Sequence, residues 1–456
     1  MLLLALALLA AAPAPKCLPR PAAGQWFHLS AKQAPRVSAR EPDPVPIRRP
    51  LVMAVREEGL LVLTPYLGGR YDLCTDRWKP VGPLLERAVD YGLPEPVVSE
   101  RELFFVGIGS ASDPFGFFAR FDLATSKWRA FPRKGAPRPR FDPLLGWAGG
   151  RFVIMLGHDG VGGDAKNVES GAAFEPATGT WTAMANPPHT VGFEAAVPLG
   201  DQLFIWPHGF LYDARANRWT KASTTGMGLP YQPIVAPVVR GLLALGGNWV
   251  EAQGSRYQLD TDSWRPLPSL KLPAPLLKAS HVVDGVPVLL GNALAHQGTW
   301  AGPGARFYAA SSCNGAPAVL HWLQGDQWKQ TTQPAGPGGR CWLTLVTAEA
   351  VFLLRWPHGD GQGNTVDGEV RVFAPSTGAW RRATVPAKGW PGSFDEVRWD
   401  GRAFWQWGAH VFVPHAVEGQ CSNRPDNIGC DPVVSGTSMR VDEGWRLEPV
   451  WEDLAE

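Results

Sequence analysis

The sequence predicts an all-β protein made of repeated four-stranded antiparallel units. A turn followed by a tryptophan recurs along almost the whole chain, short apolar runs precede its copies, and no long amphipathic helical pattern is present. The composition agrees, because 51 Gly, 44 Pro and 21 Trp among 456 residues are typical of short strands joined by many turns.

The clearest copy of the repeat is Tyr71-Asp72-Leu73-Cys74-Thr75-Asp76-Arg77-Trp78. The apolar run at residues 60–63 predicts a strand, and Trp78 begins another, so the residues between them must turn the chain. The side-chain oxygens of Asp72 and Thr75 suit this turn because they accept hydrogen bonds from turn N–H groups. The repeat is therefore predicted to be a hairpin whose outgoing strand starts with a tryptophan that packs on a neighbouring sheet.

Eight tryptophans mark the copies of this hairpin. They are Trp78, Trp128, Trp181, Trp219, Trp264, Trp328, Trp380 and Trp445. The copies at Trp328 and Trp445 keep the tryptophan and a turn but lose the full pattern. The mean spacing is close to the kelch period of roughly 50 residues, and an ordinary aromatic core would not produce such regular intervals.

From about Pro50 to Val450 the chain resembles the kelch-repeat β-propellers. This resemblance implies a ring of four-stranded blades, and the eight marked units predict eight blades, with seven as the alternative. The double glycine that kelch repeats carry after the second strand is retained as Gly246-Gly247, whereas the fourth and seventh units read Pro207-His208 and Pro357-His358. The chain is accordingly interpreted as a divergent kelch-like propeller.

The chain is predicted to comprise a signal peptide (residues 1–16), an irregular segment with one possible strand at Trp26 (residues 17–49) and the propeller (residues 50–456). The apolar run at residues 1–12 is too short to span a bilayer comfortably and ends in small residues, as secretory signals do. A secreted or periplasmic protein is therefore expected. Either the Trp26 strand or the strand at residues 445–447 is expected to close the ring.

The six cysteines agree with export, because an even number in an oxidising compartment suggests disulfides. Cys421 and Cys430 share one Gly/Pro/Asn-rich loop and are the first predicted pair. The other predicted pairs are Cys313 with Cys341 and Cys17 with Cys74, and the alternative for Cys74 is a buried free thiol.

The charge balance argues against two classes of partner. The 43 Lys and Arg against 42 Asp and Glu leave a net charge of +1 without a dense basic run, whereas nucleic-acid and anionic membrane surfaces select basic patches. No integral membrane span is predicted, and a monomer is expected. The G-x-S-x-G, H-E-x-x-H, P-loop and G-x-G-x-x-G motifs of common enzymes are also missing, which favours binding over catalysis without excluding a scattered catalytic triad.

The candidate site lies in the loops that follow the second strand of several units. Its predicted residues are His158, Trp206, His208, Trp356, His358 and His410. Equivalent positions of a propeller are related by rotation, so these side chains are expected at the same end of the ring. They would form a His/Trp-lined pocket that binds a sugar by aromatic stacking or a metal through imidazoles. The alternative is that each histidine replaces a kelch glycine and bonds to a neighbouring loop.

The predicted function is that of an exported binding or interaction module for a carbohydrate or protein ligand. The alternative is a propeller enzyme that acts on sugars, mutarotase-like or similar to metal-dependent oxidases, with its site at the same loops. No catalytic residue, metal ligand or cofactor is assigned.

Overall fold

The structure is a computed structural model. It describes residues 22–30, 34–35, 51–55, 59–64, 68–83, 96–99, 101–106, 118–138, 140–160, 166–188, 195–227, 234–238, 241–247, 251–271, 280–283, 286–291, 306–308, 319–324, 327–332, 343–346, 350–359, 365–390, 393–421 and 430–453. Within these ranges the protein is all-β, as predicted, and its strands form eight antiparallel sheets of four or more strands, consistent with a propeller-like arrangement.

The first four sheets follow one another along the chain, after the isolated strand β1 (Trp26–His28). Sheet 1 contains β2 (Leu51–Val55), β3 (Gly59–Leu63), β4 (Gly68–Asp72) and β5 (Arg77–Val81). Sheet 2 contains β6 (Val97–Val98), β7 (Glu102–Val106), β8 (Phe118–Asp122) and β9 (Lys127–Ala130). Sheet 3 contains β10 (Leu144–Ala148), β11 (Arg151–Met155), β12 (Gly171–Glu175) and β13 (Thr180–Ala183). Sheet 4 contains β14 (Ala195–Leu199), β15 (Gln202–Trp206), β16 (Phe210–Asp213) and β17 (Arg218–Lys221).

Among the last four sheets, sheets 5 and 7 carry additional strands. Sheet 5 contains β18 (Ile234–Val238), β19 (Gly241–Gly247), β20 (Glu251–Gln258) and β21 (Ser263–Pro266), with β22 (Leu270–Lys271) paired to β20. Sheet 6 contains β23 (Ser280–Val283), β24 (Val286–Gly291), β26 (Val319–Gln324) and β27 (Gln327–Thr332); β25 (Arg306–Tyr308) lies between β24 and β26 in the chain but pairs in sheet 7. Sheet 7 contains β28 (Leu343–Val346), β29 (Val351–Arg355), β32 (Gly368–Ala374) and β33 (Ala379–Val385), and β30 (His358–Gly359) pairs with β31 (Thr365–Val366). Sheet 8 contains β34 (Ser393–Trp399), β35 (Phe404–Cys421), β36 (Cys430–Leu447) and β1, while β37 (Glu452–Asp453) pairs with β33.

The turn between the third and fourth strands confirms the predicted role of Asp72, while Thr75 takes part through its backbone N–H. The Asp72 carboxylate accepts the backbone N–H groups of Cys74 (2.9 Å) and Thr75 (3.3 Å), and Asp122 and Asp213 do the same in their own sheets. The residue two positions before the tryptophan has a positive φ in six sheets. These residues are Asp76, Ser126, Gly179, Asn217, Asp262 and Gly378. The left-handed conformation suits glycine, asparagine and aspartate, which explains why these small or polar residues recur there.

Apolar clusters join neighbouring sheets. Shared buried cores link sheets 1 and 2, 2 and 3, 3 and 4, 4 and 5, 7 and 8, and also 8 and 1. The Trp328 indole N–H donates to the Pro268 carbonyl (2.7 Å) and ties sheet 6 to sheet 5. Trp322 and Phe373 meet edge to face with centroids 4.6 Å apart and tie sheet 6 to sheet 7. Each sheet therefore contacts the next one, and the eighth contacts the first.

Sheet 8 differs from the predicted pattern because its outgoing strand is β1. Trp26 lies opposite Leu447, as Trp78 lies opposite Tyr71, whereas Trp445 lies within the third strand, β36. Gly24 has a positive φ of 76° and donates its N–H to the Glu448 carbonyl (2.7 Å), which reproduces the repeat turn from two distant segments. The eighth repeat tryptophan is therefore Trp26. Local sequence did not distinguish it from Trp445 because only long-range strand pairing does so.

The segment at residues 17–49 supplies β1 at the position of the possible strand that the sequence indicated at Trp26. Residues 1–16 lie outside the described ranges, and the signal peptide remains a prediction. Among the described residues no helix is long and apolar enough to cross a membrane. Cys17, Cys313 and Cys341 also lie outside them, and the three predicted disulfides remain predictions.

Candidate functional site

We call the end of each sheet at which the second strand finishes and the third begins the upper rim. Five of the predicted site residues lie there, on sheets 3, 4 and 7: His158, Trp206, His208, Trp356 and His358. The second-to-third connections vary strongly in length, from Trp206–Phe210 in sheet 4 to Gly291–Val319 in sheet 6. The turns at the opposite end are uniform, because six of them place the positive-φ residue two positions before the tryptophan. Length variation is therefore concentrated at the upper rim.

In sheet 4 the Trp-Pro-His-Gly motif forms a tight turn over a buried core. Trp206 is 1% exposed and packs against Trp264 of sheet 5, with centroids 6.1 Å apart. Gly209 donates its N–H to the Ile205 carbonyl (3.0 Å), and the His208 carbonyl accepts a hydrogen bond from the Lys221 ammonium group. Trp206 is thus part of the junction between sheets 4 and 5, where no sugar ring reaches it without disrupting this packing.

In sheet 7 the same motif contacts the equivalent neighbour. Trp356 lies 6.3 Å from Trp26, the repeat tryptophan of sheet 8, just as Trp206 lies beside Trp264. Trp356 also stacks on Trp390 with centroids 5.1 Å apart and planes inclined by 25°, and Trp390 lies 5.4 Å from Trp26. All three side chains are half-buried. We call Trp26, Trp356 and Trp390 the tryptophan trio.

Trp390 belongs to a turn that also recurs at the junction of sheets 4 and 5. Gly389 and Gly226 have φ values of 82° and 80°, and the residues that follow them, Trp390 and Met227, each donate an N–H to the carbonyl three residues earlier (3.1 Å in both). Met227 packs against the buried core of sheets 4 and 5. At the junction of sheets 7 and 8 an indole therefore occupies the position that Met227 has at the junction of sheets 4 and 5.

Polar and apolar groups surround the trio. The Asp367 carboxylate accepts the Ala387 N–H (2.6 Å) at the base of the Trp390 turn, and Lys388 in that turn is exposed. Val366, beside Asp367, is 37% exposed and lies opposite His358 in the β30–β31 pair. The His358 side chain lies outside the described part of the protein. The upper rim of sheet 7 therefore combines exposed aromatic surface with groups that bind hydroxyls.

In sheet 3 two hydrogen bonds with Phe141 fix the main chain of His158. The His158 N–H donates to the Phe141 carbonyl (2.9 Å), and the Phe141 N–H donates to the His158 carbonyl (2.8 Å).

Arg140, which is 1% exposed, donates to the carbonyls of Leu156 (3.2 Å) and Ser170. Burial, assisted by the charge of Arg138, lowers the pKa of Arg140 to about 10. Sequence reasoning missed Arg140, because nothing distinguishes it from the other arginines of this Pro/Arg-rich stretch. It holds the two upper-rim loops of sheet 3 together.

His410 differs from its predicted position. It lies inside β35, opposite Ser393 and Arg440, and not at the start of a loop, because β35 and β36 continue well beyond Ser393, the first residue of β34. Its side chain is not among those described. The four histidines therefore occur on two pairs of neighbouring sheets, His158 and His208 on sheets 3 and 4, and His358 and His410 on sheets 7 and 8. No group of three or more His, Cys, Asp or Glu side chains suited to a metal occurs in the described ranges.

Comparison with known proteins identifies no relative in sequence. The sequence matches no protein-family model, and no curated protein is significantly similar to it. The solved structure of YjhT is similar with a TM-score of 0.34 and 10% identity, over 64% of this chain and 96% of that one. A similarity this low identifies neither the fold nor a function.

Proposed function

We propose that the protein is an exported, kelch-like β-propeller of eight blades that binds a carbohydrate or protein ligand at its upper rim. The observation that carries this proposal is the contrast between the two ends of the sheets. The turns at the lower end are uniform, whereas the upper-rim connections range from Trp206–Phe210 to Gly291–Val319. Variable loops on a uniform framework are where binding residues concentrate.

Closure of the ring through the N-terminal strand is part of the proposal. The Asp76 carboxylate accepts the backbone N–H of Ser30 (3.1 Å), four residues after Trp26. Within the chain, Asn217 accepts the N–H of Ala185 (2.8 Å) in the equivalent position, four residues after Trp181. The Arg398 guanidinium also donates to the Val52 carbonyl (2.8 Å) and connects β34 with β2. These contacts support a ring in which β1 completes the eighth blade and joins it to the first.

Export and disulfide bonding rest on the leader and the cysteine count. Cys421 and Cys430 occupy directly opposite positions at the end of the β35–β36 ladder, which supports their pairing. We propose that the mature protein is a monomer outside the cytoplasm.

The proposal is tested by probing the mature protein on glycan and extracellular-protein arrays, followed by two matched pairs of substitutions. His158→Ala with His358→Ala changes the upper rim, and Thr178→Ala with Thr377→Ala changes the lower turns. We expect a reproducible ligand whose affinity falls only in the upper-rim variant. An absence of any ligand on both arrays, or sensitivity restricted to the lower-turn variant, would refute the proposal.

The enzymatic alternative makes a different prediction. A purified protein that contains stoichiometric copper or zinc, or that converts a sugar catalytically, would favour a propeller enzyme over a binding module. Metal analysis by mass spectrometry before any chelator treatment and polarimetry of freshly dissolved sugars distinguish the two.

A further inference from the structure

We propose that the tryptophan trio is a carbohydrate-binding platform, on which the apolar face of a sugar ring stacks at the junction of sheets 7 and 8. This inference rests on the proposed function, since it assigns a ligand class and a site to the binding propeller. Half-exposed aromatic rings suit a sugar, because it presents C–H groups on its faces and hydroxyls around its edge.

The internal repeat provides the first argument. Trp206 and Trp264 form the same pair at the junction of sheets 4 and 5 as Trp356 and Trp26 form at sheets 7 and 8. There the pair is buried, at 1% and 7% exposure, and Met227 completes the core. A methionine after the turn glycine is therefore sufficient to complete the core at such a junction. At the junction of sheets 7 and 8 a tryptophan replaces it, and three large rings remain partly exposed, which structural stability does not require.

The groups around the trio provide the second argument. A carboxylate accepts up to about four hydrogen bonds, and the Ala387 N–H accounts for one of them at Asp367. Asp367 is exposed, so its remaining acceptor positions are available to sugar hydroxyls, and Lys388 adds an exposed donor in the same turn. Val366, next to Asp367 in the chain, adds an exposed apolar side chain. An aromatic surface bordered by exposed hydrogen-bonding groups matches a sugar ring.

The small size of the apolar surface favours a sugar over a protein. Among the described residues, the large hydrophobic side chains that are clearly exposed are Val366 (37%) and Val450 (56%). Stable protein interfaces bury roughly 800 Å² on each partner around an apolar centre. A few half-buried indoles and one valine cover less, whereas they match the dimensions of one or two sugar rings.

Trp26 links ligand binding to the closure of the ring. Its side chain belongs to the trio, while its strand completes sheet 8 and its indole N–H donates to the Pro386 carbonyl (2.8 Å). A ligand that contacts Trp26 binds the closed ring and not the open chain. By linkage, a ligand present at about 100 times its dissociation constant raises the free energy of unfolding of the protein by about 2.7 kcal/mol. Thermal stabilisation by the sugar is therefore an expected signature.

Trp390→Met is the decisive variant, because it gives the junction of sheets 7 and 8 the residue that the junction of sheets 4 and 5 already carries. We expect an unchanged melting temperature without ligand and at least a tenfold loss of affinity for the sugar selected on the glycan array. The probes for calorimetry are that sugar and free glucose, galactose, mannose and N-acetylglucosamine. Met227→Trp is the control and should leave the affinity unchanged.

The outcomes separate this inference from the proposed function. Unchanged sugar affinity in both Trp390→Met and Asp367→Asn would overturn the platform and leave a binding propeller whose site lies away from the trio. A wild-type protein that binds an extracellular protein but no sugar would also overturn the platform, and a wild-type protein that binds neither would overturn both.

Discussion

At the level of single residues, the hairpin turn couples two positions five residues apart. Where the third strand carries tyrosine, the positive-φ position carries Asp or Asn, whose oxygen accepts the tyrosine hydroxyl: Tyr71 with Asp76 (2.6 Å), Tyr212 with Asn217 (2.9 Å) and Tyr257 with Asp262 (2.7 Å). Where it carries phenylalanine, the position carries Ser126, Gly179 or Gly378. Burial raises the pKa of Tyr212 to about 12, so its hydroxyl remains a donor at neutral pH.

This coupling predicts a specific pattern of stability. Asp262→Asn should be nearly neutral, whereas Asp262→Gly should lower the free energy of unfolding by about 1–3 kcal/mol, because it leaves the buried Tyr257 hydroxyl without its acceptor. Adding Tyr257→Phe to Asp262→Gly should restore part of the loss, since sheet 3 already combines Phe174 with Gly179. Denaturant unfolding measures all three, and an Asp262→Gly loss that Tyr257→Phe leaves undiminished would contradict the coupling.

Gln406 is a second residue that departs from the repeat. It is completely buried in β35, and neither of its amide atoms has a hydrogen-bond partner in the part of the chain that the structure describes. In sheet 4 the equivalent residue is Ile205, two positions after the second-strand residue that lies opposite Tyr212. In sheet 7 it is Leu353, placed in the same way relative to Phe373, and both residues are buried and apolar. A buried amide without partners destabilises the fold.

Gln406→Leu should therefore raise the stability of the ligand-free protein by about 1 kcal/mol, while the matched Leu353→Gln should lower it by about 1–3 kcal/mol. The thermal midpoint of each variant checks this. A lower midpoint for Gln406→Leu would show that the amide is satisfied in the native state.

At the level of elements, the outer part of sheet 8 depends on an ionic group beside β36. Glu448 binds Arg402 (2.6 Å) and Arg446 (2.8 Å), and its backbone carbonyl accepts the Gly24 N–H of the β1 segment. Burial alone would raise the pKa of Glu448, but the hydrogen bonds and charges of Arg446 and Arg402 outweigh burial and lower this pKa below its usual value.

A lowered carboxyl pKa stabilises the folded state at pH values above about 4.5, the usual pKa of glutamate, and this stabilisation disappears as the pH falls through the folded-state value. Glu448→Gln should be less stable than the wild type at pH 7, because Arg446 is 3% exposed and loses its charged partner. The difference should shrink steadily below pH 4.5. Unfolding midpoints of both proteins between pH 3 and pH 7 measure it, and a difference that does not change with pH would argue against the ion pairs.

The long β35–β36 hairpin yields a prediction about covalent structure. Because Cys421 and Cys430 are directly opposite, we expect them to form a disulfide in the exported protein. Peptide mapping without reduction should recover the linked pair, and its loss should cost on the order of 2–3 kcal/mol of local stability. Cys421→Ser and Cys430→Ser should then behave alike. Quantitative thiol labelling of both residues in the native protein would contradict this prediction.

At the level of the whole molecule, the N-terminal strand plays the part that internal strands play in the other sheets. The Trp26 indole donates to a carbonyl of sheet 7 (2.8 Å), just as the Trp219 indole donates to the Ala185 carbonyl (2.8 Å) after sheet 3. If the ring is closed, Trp26 and Trp219 each pack between two neighbouring sheets. The two side chains should then contribute similar amounts to the free energy of unfolding.

Trp26→Ala and Trp219→Ala should therefore lower the midpoint of a single unfolding transition by similar amounts, each costing about 3 kcal/mol. Calorimetry measures the midpoints, and hydrogen exchange in β34 reports on sheet 8. An early separate transition in Trp26→Ala alone, with sheets 1 to 4 intact, would indicate an open chain of sheets.

The sequence by itself determined the features that depend on short-range chemistry. The Asx turn at Asp72, the continuous apolar run of β3 and the tryptophan near the start of β5 are each encoded within a few residues, so the all-β repeat was predictable. The likeness of the two Trp-Pro-His-Gly motifs carried through at the tryptophan, because both tryptophans pack on the repeat tryptophan of the following sheet. Beyond it the motifs differ, since His208 lies in a tight turn and His358 lies in β30.

Only the tertiary structure decided which tryptophan completes sheet 8, that Trp206 is buried while Trp356 is partly exposed, and that His410 lies within a strand. Pairing between Trp26 and Leu447 joins distant parts of the chain, and Trp356 stacks on Trp390, which belongs to a different loop. A local pattern specifies the turn in which a side chain sits. The burial of a side chain and the partner of a strand depend on residues far away in the sequence, so no short stretch of sequence reveals them.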